Sequence, residues 1–418
     1  MMGPLIAVLI FVVALLVGSG INWAVYTLAF RARPISPWSL PPEHAVPRTW
    51  LDCVPLYGWW RLRREEHLHG RWFWVRPILI EAVYGAGMVW LFHFETTGGL
   101  LPPIPLSAPL ATSYWYPMFA AHAALIALLT AATFIDFDEQ TIPDTVTLPG
   151  TLLLLLVMTI WPTAHLPVIY FGVPLPGVAT VESLLLTSRP AVMFPAEFMN
   201  WPGLALALTI VWLWWLAIVP GTLTFRRGPL KAAQFYIASI IRHGTWWRLG
   251  ILFVLISLAV TGTWLWGGTH WQSLLTSLAG LAFAGGLVWG VRIGGSIGLQ
   301  QEAMGFGDVT LMAMIGVVVG WQASLLVFFL SPAAAVFVAL TQFIITRRKD
   351  IAFGPYLSLA TVIVIVAWRG LWEGYARGIF ELGALVPIAI AFFLLAMTGM
   401  LMVWRLIRDA IWARIEGH

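Results

Sequence analysis

The chain has 418 residues, 60% of them hydrophobic and only 10% charged, with a mean hydropathy of +0.86. That balance excludes a soluble globular domain and leaves a polytopic helical membrane protein. The net charge of +4 and pI of 9.4 come from few charges on an apolar chain and call for no nucleic-acid partner; the single cysteine, Cys53, excludes a disulfide framework and a Cys-based zinc site.

Uncharged runs long enough to span a bilayer lie at about 4–30, 116–135, 146–162, 203–225, 249–268, 271–291, 309–320, 322–345, 352–368 and 382–404, and the run 77–94 joins them despite Glu81. They predict roughly eleven spans of about 20 residues each. The stretch 309–345 is too long for one helix and is expected to turn at Gly320-Trp321-Gln322. The first run has no basic segment before it and no small-residue cleavage site, so it reads as a retained helix. The expected fold class is all-α: a polytopic transmembrane helical bundle with a cytoplasmic loop domain between spans one and two.

Threading from an external N-terminus puts 31–76, 136–145, 226–248, 292–308, 346–351 and the tail after 404 on the cytoplasmic side. Those segments hold 20 of the 23 Lys and Arg residues, leaving Arg189, Arg369 and Arg377 outside. This asymmetry is the positive-inside pattern. The tail "RLIRDAIWARIEGH" is basic and amphipathic and is expected to lie along the inner surface.

Asp308 follows a Gly-Phe-Gly turn at the entrance to an apolar run with no further charge until Arg347. A carboxylate at a membrane boundary calls for a function and a partner. The one other acidic cluster at a helix end on the same side is "FIDFDEQTIPDTVTLPG", residues 134–150, where Asp136 ends the third span and Asp144 is placed to cap the fourth. Asp138 and Glu139 are assigned to the connecting loop. Two carboxylates in a partly dehydrated site share a proton, so one can activate water while the other protonates a scissile carbonyl. Gly305 and Gly307 lack Cβ atoms and let backbone approach closely before the turn into the helix.

These residues also carry a resemblance. "FIDFDEQTIPDTVTLPG", "EAMGFGDVTLMAMIGVVVGWQ" and "IAFGPYLSLA" resemble, in order, three motifs of the prepilin peptidase (type IV leader peptidase) family, a Gly-x-Gly-Asp type of membrane aspartic protease. "GSGINWAVYTLAF", "LDCVPLYGWW" and "VRPILIEAVYG" resemble its N-terminal region. The resemblance implies Asp136 and Asp308 as catalytic residues, with Gly305, Gly307, Asp144, Gly354 and Pro355 in the substrate and active-site loops. It implies a peptidase with no required cofactor in the bacterial cytoplasmic (inner) membrane. Its active site would face the cytoplasm, and its partners would be the bilayer and a prepilin or a type II secretion pseudopilin. In bifunctional members the same chain N-methylates the product with S-adenosylmethionine.

The chain departs from that pattern in two places. Zinc-holding Cys-x-x-Cys pairs are replaced by "PPEHAVPR" and "REEHLHGRW"; Glu43, His44, His67 and His69 read as a solvated face, so no metal site is expected. Asp136 and Asp308 stand 172 positions apart, the excess lying in an insertion at about 163–270. The expected division is 1–95 as the N-terminal domain, 116–368 as the peptidase membrane domain with its insertion, and 382–418 as an extra span and tail. An inactive homologue serving as an assembly scaffold and a membrane transporter are the alternatives.

Overall fold

The computed structural model describes the chain apart from residues 1–2, 34, 42–44, 104–109, 173–178, 220–233, 235–236, 240, 243, 245, 302–303, 347–352, 384 and 417–418. Glu43, His44, most of the basic loop 226–248, Glu302 and the basic group 347–349 therefore lie outside the described residues.

Helix α1 (Pro4–Thr27) packs against α2 (Val75–Thr96) where Gly18 removes a side chain: a Cβ there would sit 2.9 Å from Glu81 Cα. Burying Glu81 is costly unless it is hydrogen-bonded. It accepts from Asn22 Nδ2 at 3.1 Å, from the Trp59 indole at 2.9 Å and from the Leu56 backbone N–H, so one acid ties α1, α2 and the loop between them together. That loop is held by ion pairs. Arg48 meets Glu65 at 2.7 Å with both side chains buried, and Asp52 receives Arg61 at 3.1 Å and Arg64 at 3.0 Å. Burial by itself would raise the Asp52 pKa, but hydrogen bonds from Arg64 and the Thr49 N–H, with the charges of both arginines, hold it below the ordinary range.

Helices α3 (Tyr116–Glu139) and α4 (Asp144–Ile160) follow, joined by a short connection in which Gln140 takes a left-handed φ of 56°. The insertion then builds an antiparallel hairpin, β1 (Pro167–Phe171) with β2 (Ala179–Ser183), before α5 (Trp201–Ile218) and α6 (Trp246–Trp266). His165, just before the hairpin, is buried and bonded to Ser273 Oγ at 2.9 Å; burial pushes its pKa down to about 4, so it sits there neutral.

Helix α7 (Gly268–Leu299) crosses α8 (Phe306–Thr346) through Gly280 and Gly316, where a Cβ on either would overlap the other's carbonyl oxygen. Small residues let membrane helices approach to backbone distance. Gly320 interrupts α8 at φ 77°, at the position where the sequence predicts a turn. Helix α9 (Gly354–Val366) bends by 81° into 368–380. Helix α10 (Leu385–Glu416) runs beside α7, with Leu394, Thr398 and Leu401 filling the space over Gly290, Gly294 and Gly298.

Each of the eleven apolar runs has a helix over most of its described residues, and the chain is a mostly α-helical polytopic membrane protein; the hairpin is the departure from all-α. The span count is lower than expected: eight described helices are long and apolar enough to cross a membrane, or nine if the bent α9 pair is one span. The runs 309–320 and 322–345 form one interrupted helix, and α4 has only 17 residues, about 25 Å. The tail also differs from expectation: it continues α10 without a break to Glu416, making a 32-residue helix of about 48 Å rather than a separate surface helix.

Candidate active site

Asp136 lies in the last turn of α3, one turn earlier than a loop position, because α3 continues through Asp138 and Glu139. Its side chain is 4% exposed, and Oδ2 accepts the backbone N–H of Gly354 at 3.1 Å. Gly354 begins α9, whose first N–H groups have no partner within the helix, so an acid from α3 caps a helix more than 200 positions away. Pro355, next in α9, has no N–H to lose at that position and is buried.

Asp308 lies in the first turn of α8 and is 8% exposed. Its side chain lies against the Gly305 backbone, where the third-position acid of a capping box stands, and it is close enough to Asp136 for the two carboxylates to act on each other's charge. Ile142 is the joint between the two sides. A Cβ on Gly307 would lie 2.9 Å from Ile142 Cβ and 3.0 Å from its carbonyl oxygen, and a Cβ on Gly354 would lie 2.8 Å from Ile142 Cδ1. Gly305 is looser, its Cβ position 3.6 Å from Asp308 Oδ2. Thr147 and Thr310 bridge α4 and α8 one turn deeper, at 3.2 Å.

Asp144 does not cap α4. Pro143 takes the cap position with no side-chain hydrogen bond, and Asp144, in the first turn, is exposed and makes none of the contacts that join Asp136, Gly307, Ile142 and Gly354.

Three participants were not singled out in the sequence. Ile142 was hidden as an ordinary apolar residue inside the first acidic motif. Tyr356, 1% exposed, feels the Asp136 charge, and its hydroxyl is buried with no hydrogen-bond partner among the described residues. Arg76 makes a two-pronged bond to Asp138 at 2.8 Å and 2.8 Å, stacks over Phe134, and so grips the helix end that carries Asp136. Glu139 adds a second grip by accepting the Phe30 and Arg31 N–H groups, both at 2.8 Å. The signal for Arg76 was its charge at the mouth of an apolar run, two residues before the first helical turn closes.

The loop segments that resemble the family's metal-holding region do not supply a metal donor set among the described residues. Cys53 has only the Pro37 carbonyl at 4.0 Å, His69 is engaged with Glu65, and His67 lies against the Arg64 carbonyl. The Arg48–Glu65 pair instead joins the same two segments.

Residues 237–340 match the model of the Type IV leader peptidase family, a stretch that includes Asp308 but not Asp136. A prepilin leader peptidase/N-methyltransferase of Aeromonas hydrophila is 31% identical over 137 residues, 29% of this chain and 47% of that protein. One from Myxococcus xanthus is 29% identical over 151 residues, 36% and 39% of the two chains, and one from Escherichia coli is 33% identical over 87 residues, 20% and 39%. The matched parts thus span less than half the length of these relatives. No solved structure matches. Over these stretches the chain is similar to the Type IV leader peptidase family and to prepilin leader peptidases/N-methyltransferases.

Proposed function

We propose that the chain is a membrane aspartic endopeptidase that removes the leader of type IV prepilins or type II secretion pseudopilins at the cytoplasmic face of the bacterial inner membrane. The observation that carries the reading is the pairing of buried Asp136 and Asp308 at one end of the bundle, drawn together through Ile142 and Gly354. Two such carboxylates hold one proton between them. The ionised member takes a proton from water as the water attacks the scissile carbonyl carbon, while the protonated member gives its proton to the carbonyl oxygen. The tetrahedral intermediate then collapses, the leaving amine taking a proton from the dyad. The division into 1–95, 116–368 and 382–418 goes with this reading, as does the placement of the basic segments on the side of the site.

N-methylation of the cut product from S-adenosylmethionine is a second activity, supported by the relatives being named prepilin leader peptidase/N-methyltransferases. One experiment tests both. A prepilin is co-expressed with the wild-type chain, with Asp136→Asn and with Asp308→Asn, and the new N-terminus is read by mass spectrometry. Leader removal that needs both aspartates is the expected result, and the mass of the product reports methylation. Wild-type processing by either variant overturns the dyad, and no processing by the wild type returns the scaffold or transporter reading.

A further inference from the structure

At the end of the bundle opposite Asp136 and Asp308 lies a cavity of about 920 Å³. The insertion supplies one wall through Tyr170, Thr187 and Arg189, and the bent segment after α9 supplies another through Trp372, Arg377 and Glu381. The Trp321 indole ties the two together by donating to the Leu186 carbonyl at 2.7 Å while stacking edge-on against Phe380 at 5.0 Å.

Three features mark the cavity as a site for a charged amphiphile. First, two of the three basic residues that the sequence places on this side, Arg189 and Arg377, line it. Cations are sparse on this side of the chain, so two in one cavity need a reason. Arg377 is occupied by Glu373 at 3.0 Å and Glu381 at 3.7 Å, whereas Arg189 is exposed and has no partner among the described residues. Second, two wall residues, Tyr170 and Thr187, carry buried hydroxyls with no hydrogen-bond partner among the described residues, so the wall holds donor capacity that the protein does not meet. Third, the remaining wall comes from three membrane helices, through Leu206 of α5, Ala279 of α7 and Pro387 of α10. A soluble anion has no use for that apolar side, but an acyl chain does.

Arg189, Arg377 and Glu381 line the cavity, and Glu373 beside it already pairs Arg377, so a purely anionic headgroup gains less than one carrying both signs. The carboxylate of Glu381, 73% exposed and only loosely held by Arg377, is free to take an ammonium. We propose that this cavity binds one zwitterionic phospholipid, with its phosphate at Arg189, its ammonium at Glu381 and its acyl chain along Leu206, Ala279 and Pro387. The site is independent of the peptidase reading.

The test uses the full chain, purified in detergent and delipidated, then titrated with phosphatidylethanolamine, phosphatidylglycerol or free phosphoethanolamine under native mass spectrometry. The wild type is expected to retain one phosphatidylethanolamine about tenfold better than phosphatidylglycerol, and Arg189→Gln to lose about tenfold, the scale of one charge-assisted contact. Glu381→Gln is expected to erase the preference between the two lipids. Unchanged melting temperatures keep both variants interpretable, since both side chains are at the surface. Equal retention of the two lipids by the wild type, or undiminished retention by Arg189→Gln, would reduce the occupant to an annular lipid and overturn the site. Phosphoethanolamine binding as tightly as the intact lipid would transfer the phosphate site to a soluble ligand and overturn the acyl-chain half.

Discussion

The backbone N–H of Gly354 donates to Asp136 Oδ2 at 3.1 Å, so the third motif of the chain orients the acid of the first. A side chain at Gly354 would meet that same oxygen at 2.7 Å. Gly354→Ala is therefore expected to lower kcat/KM for prepilin by about 10- to 100-fold, the cost of displacing a catalytic group by a fraction of an ångström to an ångström. The protein should remain folded, which thermal unfolding of the same preparation checks. Activity near wild type would mean that Asp136 does not need this bond.

If the proposed dyad acts as one unit, Asp136→Asn and Asp308→Asn are each expected to reduce cleavage by at least about 1,000-fold, and the double variant by little more. Single-turnover rates on a detergent-solubilised prepilin measure this. Multiplicative losses would indicate two independent groups.

Gly307→Ala places a methyl group 3.0 Å from the Ile142 carbonyl oxygen, a backbone atom that cannot rotate away. It should impair cleavage more than Gly305→Ala, whose added methyl would have only Asp308 Oδ2 near it, at 3.6 Å. Comparing the two kcat values under saturating substrate decides the order.

The ion pair of Arg48 with Glu65 joins the two loop segments where a metal would otherwise serve, so EDTA treatment is expected to leave the melting temperature and the cleavage rate unchanged. Arg48→Met, by contrast, removes the main partner of buried Glu65 and leaves it only His69 at 3.2 Å, so a lower melting temperature is expected. A chelator-induced drop in melting temperature, reversed by zinc, would contradict this account.

Acid should loosen the same loop. Asp52 is held below its unfolded pKa, so its contribution is complete above about pH 4 and is lost as pH falls through the still lower folded value. Limited proteolysis between residues 45 and 72, followed against pH, should accelerate below about pH 4 in the wild type. In Asp52→Asn it should be fast at every pH.

The helical layout was legible because apolar run length is a one-dimensional property of a membrane chain, and the described part of each run is mostly helical. What each run does at its ends was less legible. The turn at Gly320 could be seen because 309–345 exceeds one bilayer crossing, whereas the 81° bend after Val366 depends on packing beneath the hairpin, which no local spacing records. At the site, Asp136 and Asp308 stood out because charge is rare in such surroundings. Ile142 and Tyr356 did not, since an apolar or aromatic residue in an apolar chain carries no contrast. Asp144 misled for a related reason: an Asp after Pro reads as a cap, but here Pro143 itself takes the cap position.

The crossing of α7 and α8 at Gly280 and Gly316 gives the two aspartates unequal mechanical footing. Interlocked glycines leave α8 no room to slide, so Asp308 stands on a fixed post about 12 Å from that crossing along the helix. Asp136 is instead set by a single hydrogen bond and by the grips of Arg76 and of the Phe30 and Arg31 amides on its helix end. Of the two acids, Asp136 thus has the more displaceable footing, and the first turn of α2, through Arg76, is the handle on it.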